Sequence, residues 1–446
     1  MMKQAGRWYV AIAAAMVVSI FTAMPASSSG TADLRCNELL TALRAGDFSA
    51  ATSHFDSTMK AGLTPDKLGS TWNAMVATNG KLLGWEITQH ANTGGEEIVL
   101  APMKFERTSA LAAQVAVNSQ TGEISGFYFV PSPGAAPAPT SAATSPAYAV
   151  ASNFYSLDVH VGGAPYELPG ILTIPTNGKG PWPGVVMLGG SGPNDMDETI
   201  GPNHIFKDIA EGLSSRGIVV LRYSKRTLIY GKQMDLQHTT IKEEYLDDAV
   251  AAVNLLRSRS DVDKNRIFIA GHSLGGTIAP EVALKAAPVQ GLILLAPGGR
   301  QEGAAIVQQM RFLGEASHQQ LDELERKANE LDNHLMPPTE IFMHAPASYW
   351  YSIDARNEVA LARQLNVPIL ILHGGRDYQV IDKDIENWQE GLKGVAHVYV
   401  KTFPPLNHLF IAGTGKPNPQ EYSVAGHVDQ QVIDAMSAFI ENPVAN

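Results

Sequence analysis

Cysteine is almost missing from this chain: Cys36 is the only one among 446 residues, so no disulfide can form within it. Leu34 and Arg35 precede that thiol where small residues would be needed, which argues against its lipidation. The 13 histidines are scattered, with no His-x-His pair and no His-Glu-x-x-His helix, and no metal site is expected. A glycine-rich phosphate loop and a repeat period are also missing, and no cofactor is expected. Positive charge is in short supply, 33 Lys and Arg against 44 Asp and Glu, for a net charge of -11. Nucleic acid as a partner is excluded on that ground, because phosphate binding needs clustered cations. The apolar run Trp8 to Ala23 falls short of the roughly 20 residues needed to cross a bilayer.

That run follows Lys3 and Arg7 and precedes the small residues Ala26, Ser27, Ser28, Ser29 and Gly30, the layout of a cleavable secretory signal over residues 1–30. A secreted or periplasmic protein with no stable membrane span after cleavage is the expectation; a retained anchor is the alternative. Residues 131–150 contain the stretch PSPGAAPAPTSAATSP, which cannot bury enough apolar surface to fold and reads as a linker. It divides a small unit at 33–130 from a large one at 151–446. With 45% hydrophobic and 17% charged residues, the chain can fill two ordinary cores.

The most informative residues are Gly271-His272-Ser273-Leu274-Gly275-Gly276, preceded by the apolar run Ile267-Phe268-Ile269-Ala270 and followed by a helical stretch. Strand, tight turn and helix in that order put a serine on a strained corner with its hydroxyl outward, and glycines on both sides avoid collisions with the neighbouring strand and helix. Ser273 is thus a candidate nucleophile. Such a serine needs a base, and the base needs an acid to orient it. Asp377 lies just past the apolar strand Pro368-Ile369-Leu370-Ile371-Leu372-His373, and His408 lies in a loop after Val398-Tyr399-Val400. The chain order Ser273, Asp377, His408 differs from that of chymotrypsin-like and subtilisin-like proteases.

With GHSLGG, the segments GGSGPNDMDETIGPN (189–203), FKDIAEGLSSRGIVVLRYSKR (206–226), ARQLNVPILILHGGRDYQV (362–380) and PPLNHLF (404–410) make residues 150–446 resemble an α/β-hydrolase of the bacterial esterase and serine-aminopeptidase-like group. Ser224 stands where that group often has aspartate, and Met196 where it often has arginine. The resemblance implies a mostly parallel eight-stranded sheet with a helical cap insertion, and a serine hydrolase. A small acyl ester is the expected substrate, with an amide, thioester or peptide as the alternative and an idle ligand-binding protein as the remaining one. Oligomeric state is left open.

The tetrahedral intermediate needs two fixed N–H donors. One is expected from Leu274, at the amino end of its helix, where the macrodipole also favours negative charge. The other follows the strand Val185-Val186-Met187-Leu188, and the resemblance implies Ser191. Arg222, Lys225 and Arg226 follow the strand Ile218 to Leu221; they either hold a substrate carboxylate or pair with the acids Asp195, Asp197 and Glu198, which otherwise form a solvated loop. His272 is expected to turn away toward packing, and His373 to satisfy a local hydrogen bond.

Apolar runs predict strands near 157–162, 168–174, 184–189, 217–222, 266–271, 291–296, 368–373 and 396–402. Ile241, Tyr245, Ala249, Ala252, Val253 and Leu256 recur at helical spacing, and Val432 to Ile440 reads as a last helix. About seventy residues separate Gly299 from Pro368, too many for a plain connection, and the charged helical run Gln319 to Arg326 inside them predicts a cap over about 300–360. A cap would exclude bulky protein substrates. Tyr349 and Trp350 either line its pocket or pack it onto the sheet. In the small unit, helical patterns at 33–45, 47–61 and 65–78 precede strand-like runs at 84–90, 96–105, 110–117 and 126–130, an α+β arrangement that resembles the small domain of unknown function found before some bacterial α/β-hydrolases. Glu86, His90, Glu96 and Glu97 in this unit form no catalytic constellation.

Overall fold

The computed structural model describes residues 30–93, 96–107, 111–131, 145–235, 237–286, 288–314, 318–343 and 345–444. The leader-like residues up to 29 and the linker residues 132–144 lie outside the described residues. No helix among the described residues is long and apolar enough to cross a membrane. The chain divides into two compact units, residues 1–142 and 143–446.

In the first unit, helices α1 (Gly30–Ala45), α2 (Phe48–Ala51), α3 (Ser57–Gly62) and α4 (Pro65–Asn79) precede strands β1 (Leu82–Trp85), β2 (Gln89–Thr93), β3 (Glu96–Phe105), β4 (Leu111–Asn118) and β5 (Ile124–Pro131). The single helix expected over 47–61 is two helices, because Asp47 accepts the Ala50 N–H and Asp56 accepts the Met59 N–H, each starting its own turn. The run expected over 84–90 is also split: β1 and β2 take successive parts of one edge of β3. Pro102 lies in β3 opposite the break and has no N–H to give the ladder. Cys36, Leu39, Leu40 and Leu43 of α1 pack on Val99, Val115 and Ile124 of the antiparallel sheet. Burial pushes the Cys36 thiol up to about 12, helped by Asp33, so it stays a neutral core group.

The second unit is built on eight strands: β6 (Phe154–Gly163), β7 (Tyr166–Pro175), β8 (Trp182–Leu188), β9 (Val219–Tyr223), β10 (Val262–His272), β11 (Gly291–Leu295), β12 (Ile369–Gly374) and β13 (Val398–Phe403). Their spatial order is β13-β12-β11-β10-β8-β9-β7-β6. The β6–β7 and β7–β9 pairs are antiparallel and the others parallel. All eight predicted strands are present. The central strands are continuous apolar runs because helices cover both faces. Flanking helices include α5 (Ile205–Ser214), α6 (Arg226–Tyr230), α7 (Asp247–Ser258) and α8 (Leu274–Ala286). A single π-helical turn, Lys242–Leu246, precedes α7, so that Glu244, Tyr245 and Leu246 are all buried.

Between β11 and β12 come α9 (Glu302–Leu313), α10 (His318–Asp332), a two-residue-per-arm hairpin (Ile341–Phe342 with Ala345–Pro346), α11 (Ala347–Asp354) and α12 (Glu358–Gln364). Val307, Leu331, Phe342, Trp350 and Ile353 of this insertion form one apolar cluster with Leu274 and Ile278 of α8. The insertion therefore packs directly on the start of the helix that follows Ser273. Helices α13 (Asp382–Gly391) and α14 (Gln430–Glu441) complete the unit. Residues 145–150, read from composition as linker, are docked on it: the Tyr148 hydroxyl donates to the Val428 carbonyl at 2.7 Å and the Val150 N–H to Ser215 at 2.9 Å. A tyrosine hydroxyl and one backbone N–H thus anchor the end of a Pro/Ala/Ser-rich stretch.

Candidate active site

Strand β10 runs straight into α8 through Ser273, whose φ of 53° lies in the left-handed region that non-glycine residues avoid. The strain is held by packing on both sides. A Cβ on Gly271 would come within 2.2 Å of the Gly275 carbonyl oxygen, and one on Gly275 within 2.2 Å of the Leu188 carbonyl oxygen. Ser273 donates its own N–H to Leu295 at 2.8 Å, and its carbonyl accepts the Thr277 N–H at 3.0 Å to open the helix. A turn this tight leaves the serine side chain on the outside of the bend.

Asp377 and His408 come from the loops that follow β12 and β13, neighbouring parallel strands. His408 Nδ1 lies 2.6 Å from Asp377 Oδ2. The other oxygen of Asp377 accepts the backbone N–H groups of Gln379 at 2.8 Å and Val380 at 3.0 Å, so this carboxylate has little rotational freedom. Asn407 fixes the His408 loop by accepting from Leu409 and Ile411. Both Asp377 and His408 are buried. The His408 ring lies 4.7 Å, centroid to centroid, from that of His272, the residue before Ser273.

The loop after β8 meets the same corner. A Cβ on Gly190 would come 3.2 Å from the Ser273 Cβ, so only glycine lets the backbone approach this closely. The Gly190 N–H is already given to Glu198 at 2.6 Å, so this N–H is taken up inside the loop. Leu274 opens α8, where its N–H has no acceptor within the helix.

A family model described as serine aminopeptidase, S33, matches residues 204–412, and one described as a protein of unknown function (DUF3887) matches residues 37–127. Esterase EstD of Thermotoga maritima is 38% identical over 404 residues, which span 89% of this chain and 92% of that relative. The chain belongs to the same α/β-hydrolase family. Among solved structures, Est1E from Butyrivibrio proteoclasticus is 19% identical with a TM-score of 0.44, covering 65% of this chain and 99% of that one. The Pyrococcus furiosus esterase PF2001 is 15% identical with a TM-score of 0.42, covering 66% and 92%.

In this α/β-hydrolase the three basic residues, Arg222 in β9 and Lys225 and Arg226 after it, are buried and paired, but only Arg222 pairs with one of the acids expected for them; Lys225 and Arg226 take Glu244 and Asp248 instead. Arg222 meets Asp197 at 2.7 Å and the Thr173 hydroxyl at 2.6 Å. Arg226 grips Asp248 with two bonds of 2.9 and 2.5 Å. Lys225 meets Glu244 at 2.5 Å, and burial pushes its pKa below the ordinary value while Glu244 opposes the shift. Tyr349 donates to Glu244 at 2.6 Å, and Trp350 donates to the Phe342 carbonyl at 3.0 Å inside the cap cluster. Both aromatics thus give their polar groups to partners inside the protein.

The acidic loop also departs from the solvated loop expected of it. Asp195 accepts from Thr199 and the Asp197 N–H, closing a local turn, and Glu198 is buried with a φ of 47°. His272, expected to serve packing alone, bridges Glu198 and the His408 carbonyl at 3.1 and 3.0 Å. His373 does find a local partner, Asp382, at 3.1 Å. The buried duty of Glu198 was not legible in the sequence, because its partners come from β10 and from the Gly190 turn. Among the described residues no group of three or more His, Cys, Asp or Glu side chains converges as metal ligands would.

Proposed function

We infer that this protein is a serine hydrolase that cleaves small acyl esters, a carboxylesterase-like enzyme working through an acyl-enzyme. The observation that carries the reading is the buried 2.6 Å bond between Asp377 and His408, whose ring lies against His272, the neighbour of a serine held at positive φ. The Ser273 hydroxyl attacks the acyl carbonyl as His408 takes its proton, and Asp377 keeps the imidazole in the tautomer and orientation that this transfer needs. The N–H groups of Leu274 and Ser191 receive the oxyanion. His408 then returns the proton to the departing alcohol, and water, activated by the same histidine, releases the acid and restores Ser273.

The test is a fluorophosphonate probe on the purified protein, followed by nitrophenyl esters of short and long chain beside aminoacyl nitroanilides. Ser273-dependent labelling with ester turnover supports the esterase reading, and an intact Ser273→Ala protein that keeps full activity refutes it. A second reading, cleavage of a small amide or peptide, draws on the match to the serine aminopeptidase family model, and anilide turnover above ester turnover would favour it. The polar and apolar order of residues 1–30 supports export to the periplasm or medium. Amino-terminal sequencing of protein recovered outside the cytoplasm, reading a start near residue 30, is the expected result.

A further inference from the structure

Two successive peptide units form the turn at Gly190, and each is gripped differently. The first gives its N–H to Glu198. The second joins the Gly190 carbonyl to the Ser191 N–H in one trans plane, so that the oxygen and the hydrogen point in opposite directions. Its carbonyl oxygen accepts from Lys225 Nζ at 3.0 Å, from Asn194 Nδ2 at 3.0 Å and from the Tyr245 hydroxyl. Lys225 Nζ also contacts Glu244 at 2.5 Å and the Tyr245 oxygen at 2.6 Å, giving three acceptors for the three N–H bonds of an ammonium group. Lys225, Glu244 and Tyr245 are 4%, 5% and 2% exposed, so this charge acts through low-dielectric surroundings.

A buried ion pair contributes little net stability compared with apolar packing of the same volume. What this one does is place a cation on the carbonyl end of the peptide whose other end is the Ser191 N–H. We propose that Lys225 and Tyr245 are positioning residues that lock the Gly190–Ser191 peptide by its carbonyl, holding the Ser191 N–H toward the oxyanion and polarising it into a stronger donor. The inference rests on the hydrolase reading above and deepens it. Neither residue touches the substrate. Their effect is confined to the transition state, where charge appears on the acyl oxygen, and is absent from substrate binding.

The experiment compares wild type, Tyr245→Phe and the double variant Lys225→Met/Glu244→Gln, which avoids leaving a lone buried carboxylate. Ester turnover is measured together with inhibition by a trifluoromethyl ketone, which captures a serine as a hemiketal oxyanion. The expected result for Tyr245→Phe is a fall in kcat of about 10- to 100-fold, smaller than or comparable with loss of a direct donor. KM stays within about twofold, the ketone weakens by the same factor as kcat, and the melting temperature falls by a few degrees as Lys225 loses one acceptor while the protein stays folded. The double variant should lose more. Unchanged kcat and ketone affinity in folded Tyr245→Phe, or a change in KM alone, would overturn the proposal; should the double variant not fold, Tyr245→Phe decides. Wild-type protein without Ser273-dependent turnover would instead refute the hydrolase reading, and the lock as an oxyanion device with it, before any lock variant is made.

Discussion

His272 donates from Nε2 to the main-chain oxygen of His408 at 3.0 Å while its Nδ1 faces Glu198 at 3.1 Å, so the residue before the candidate nucleophile supports the loop of the candidate base. Burial alone lowers the pKa of this ring, but the charge and hydrogen bond of Glu198, with the His408 carbonyl, outweigh it and leave the pKa raised above 6.5. A histidine whose folded pKa is raised contributes stability that is complete below its unfolded pKa and is lost as pH rises through the folded value. His272→Phe should therefore cost most at acid pH, of order 3 kcal/mol, with the difference from wild type shrinking in alkali. Urea unfolding at mildly acidic, neutral and alkaline pH checks this, and a pH-independent difference would refute it.

Asp377→Asn should fold normally, since the asparagine oxygen can still accept from Gln379 and Val380. Its amide can donate to His408 Nδ1, which favours the wrong tautomer for proton acceptance. Turnover is expected to drop by about 10⁴-fold with KM little changed. Steady-state ester kinetics beside a circular dichroism spectrum would decide the matter.

Gly275→Ala tests the corner itself. Its new Cβ would lie 2.2 Å from one backbone oxygen and 2.5 Å from the next, both on the strand and loop that carry the Gly190 turn. Backbone cannot yield as a side chain can, so a loss of about 3 kcal/mol or more is expected, with activity falling further than stability. A variant with wild-type melting temperature and wild-type turnover would contradict the packing described.

Glu358, in the first turn of α12, is buried with no hydrogen-bond partner for either carboxylate oxygen. Burial first, then repulsion from Glu281, push its pKa from 4.5 up to about 8, and Arg356 opposes them only in part. A carboxyl group of this kind binds its proton more tightly when folded, so its contribution to stability is lost as pH rises between those two values. Glu358→Gln should raise the melting temperature most at pH above 8 and flatten the decline between pH 4.5 and about 8. Thermal scans of both proteins from acid to alkaline pH provide the comparison.

The strands of the large unit and its Gly-x-Ser-x-Gly corner were legible because their signals are local: continuous apolar runs, and glycines at fixed offsets from one serine. Local signals also misled. The period over 47–61 hid the two aspartate caps, and the composition of 131–150 hid the anchoring of Tyr148. The contacts of Lys225, Asn194, Glu244, Tyr245 and Gly190 could not be read at all, since three separate segments supply them and nothing in their spacing announces a hydrogen bond. Tyr245 was legible only as one apolar position on a helix. Its hydroxyl, the part that meets Gly190, is invisible to a hydrophobic pattern.

Strands β11 and β12 pair in register from Leu292 with Ile369 to Leu295 with Leu372, although the whole cap intervenes between them in sequence. The sheet therefore places no demand on what lies in that interval beyond its two ends. Selection can replace, lengthen or recolour the cap while the reacting groups stay where the strands put them, so that descendants of one scaffold can exchange diets without relearning chemistry.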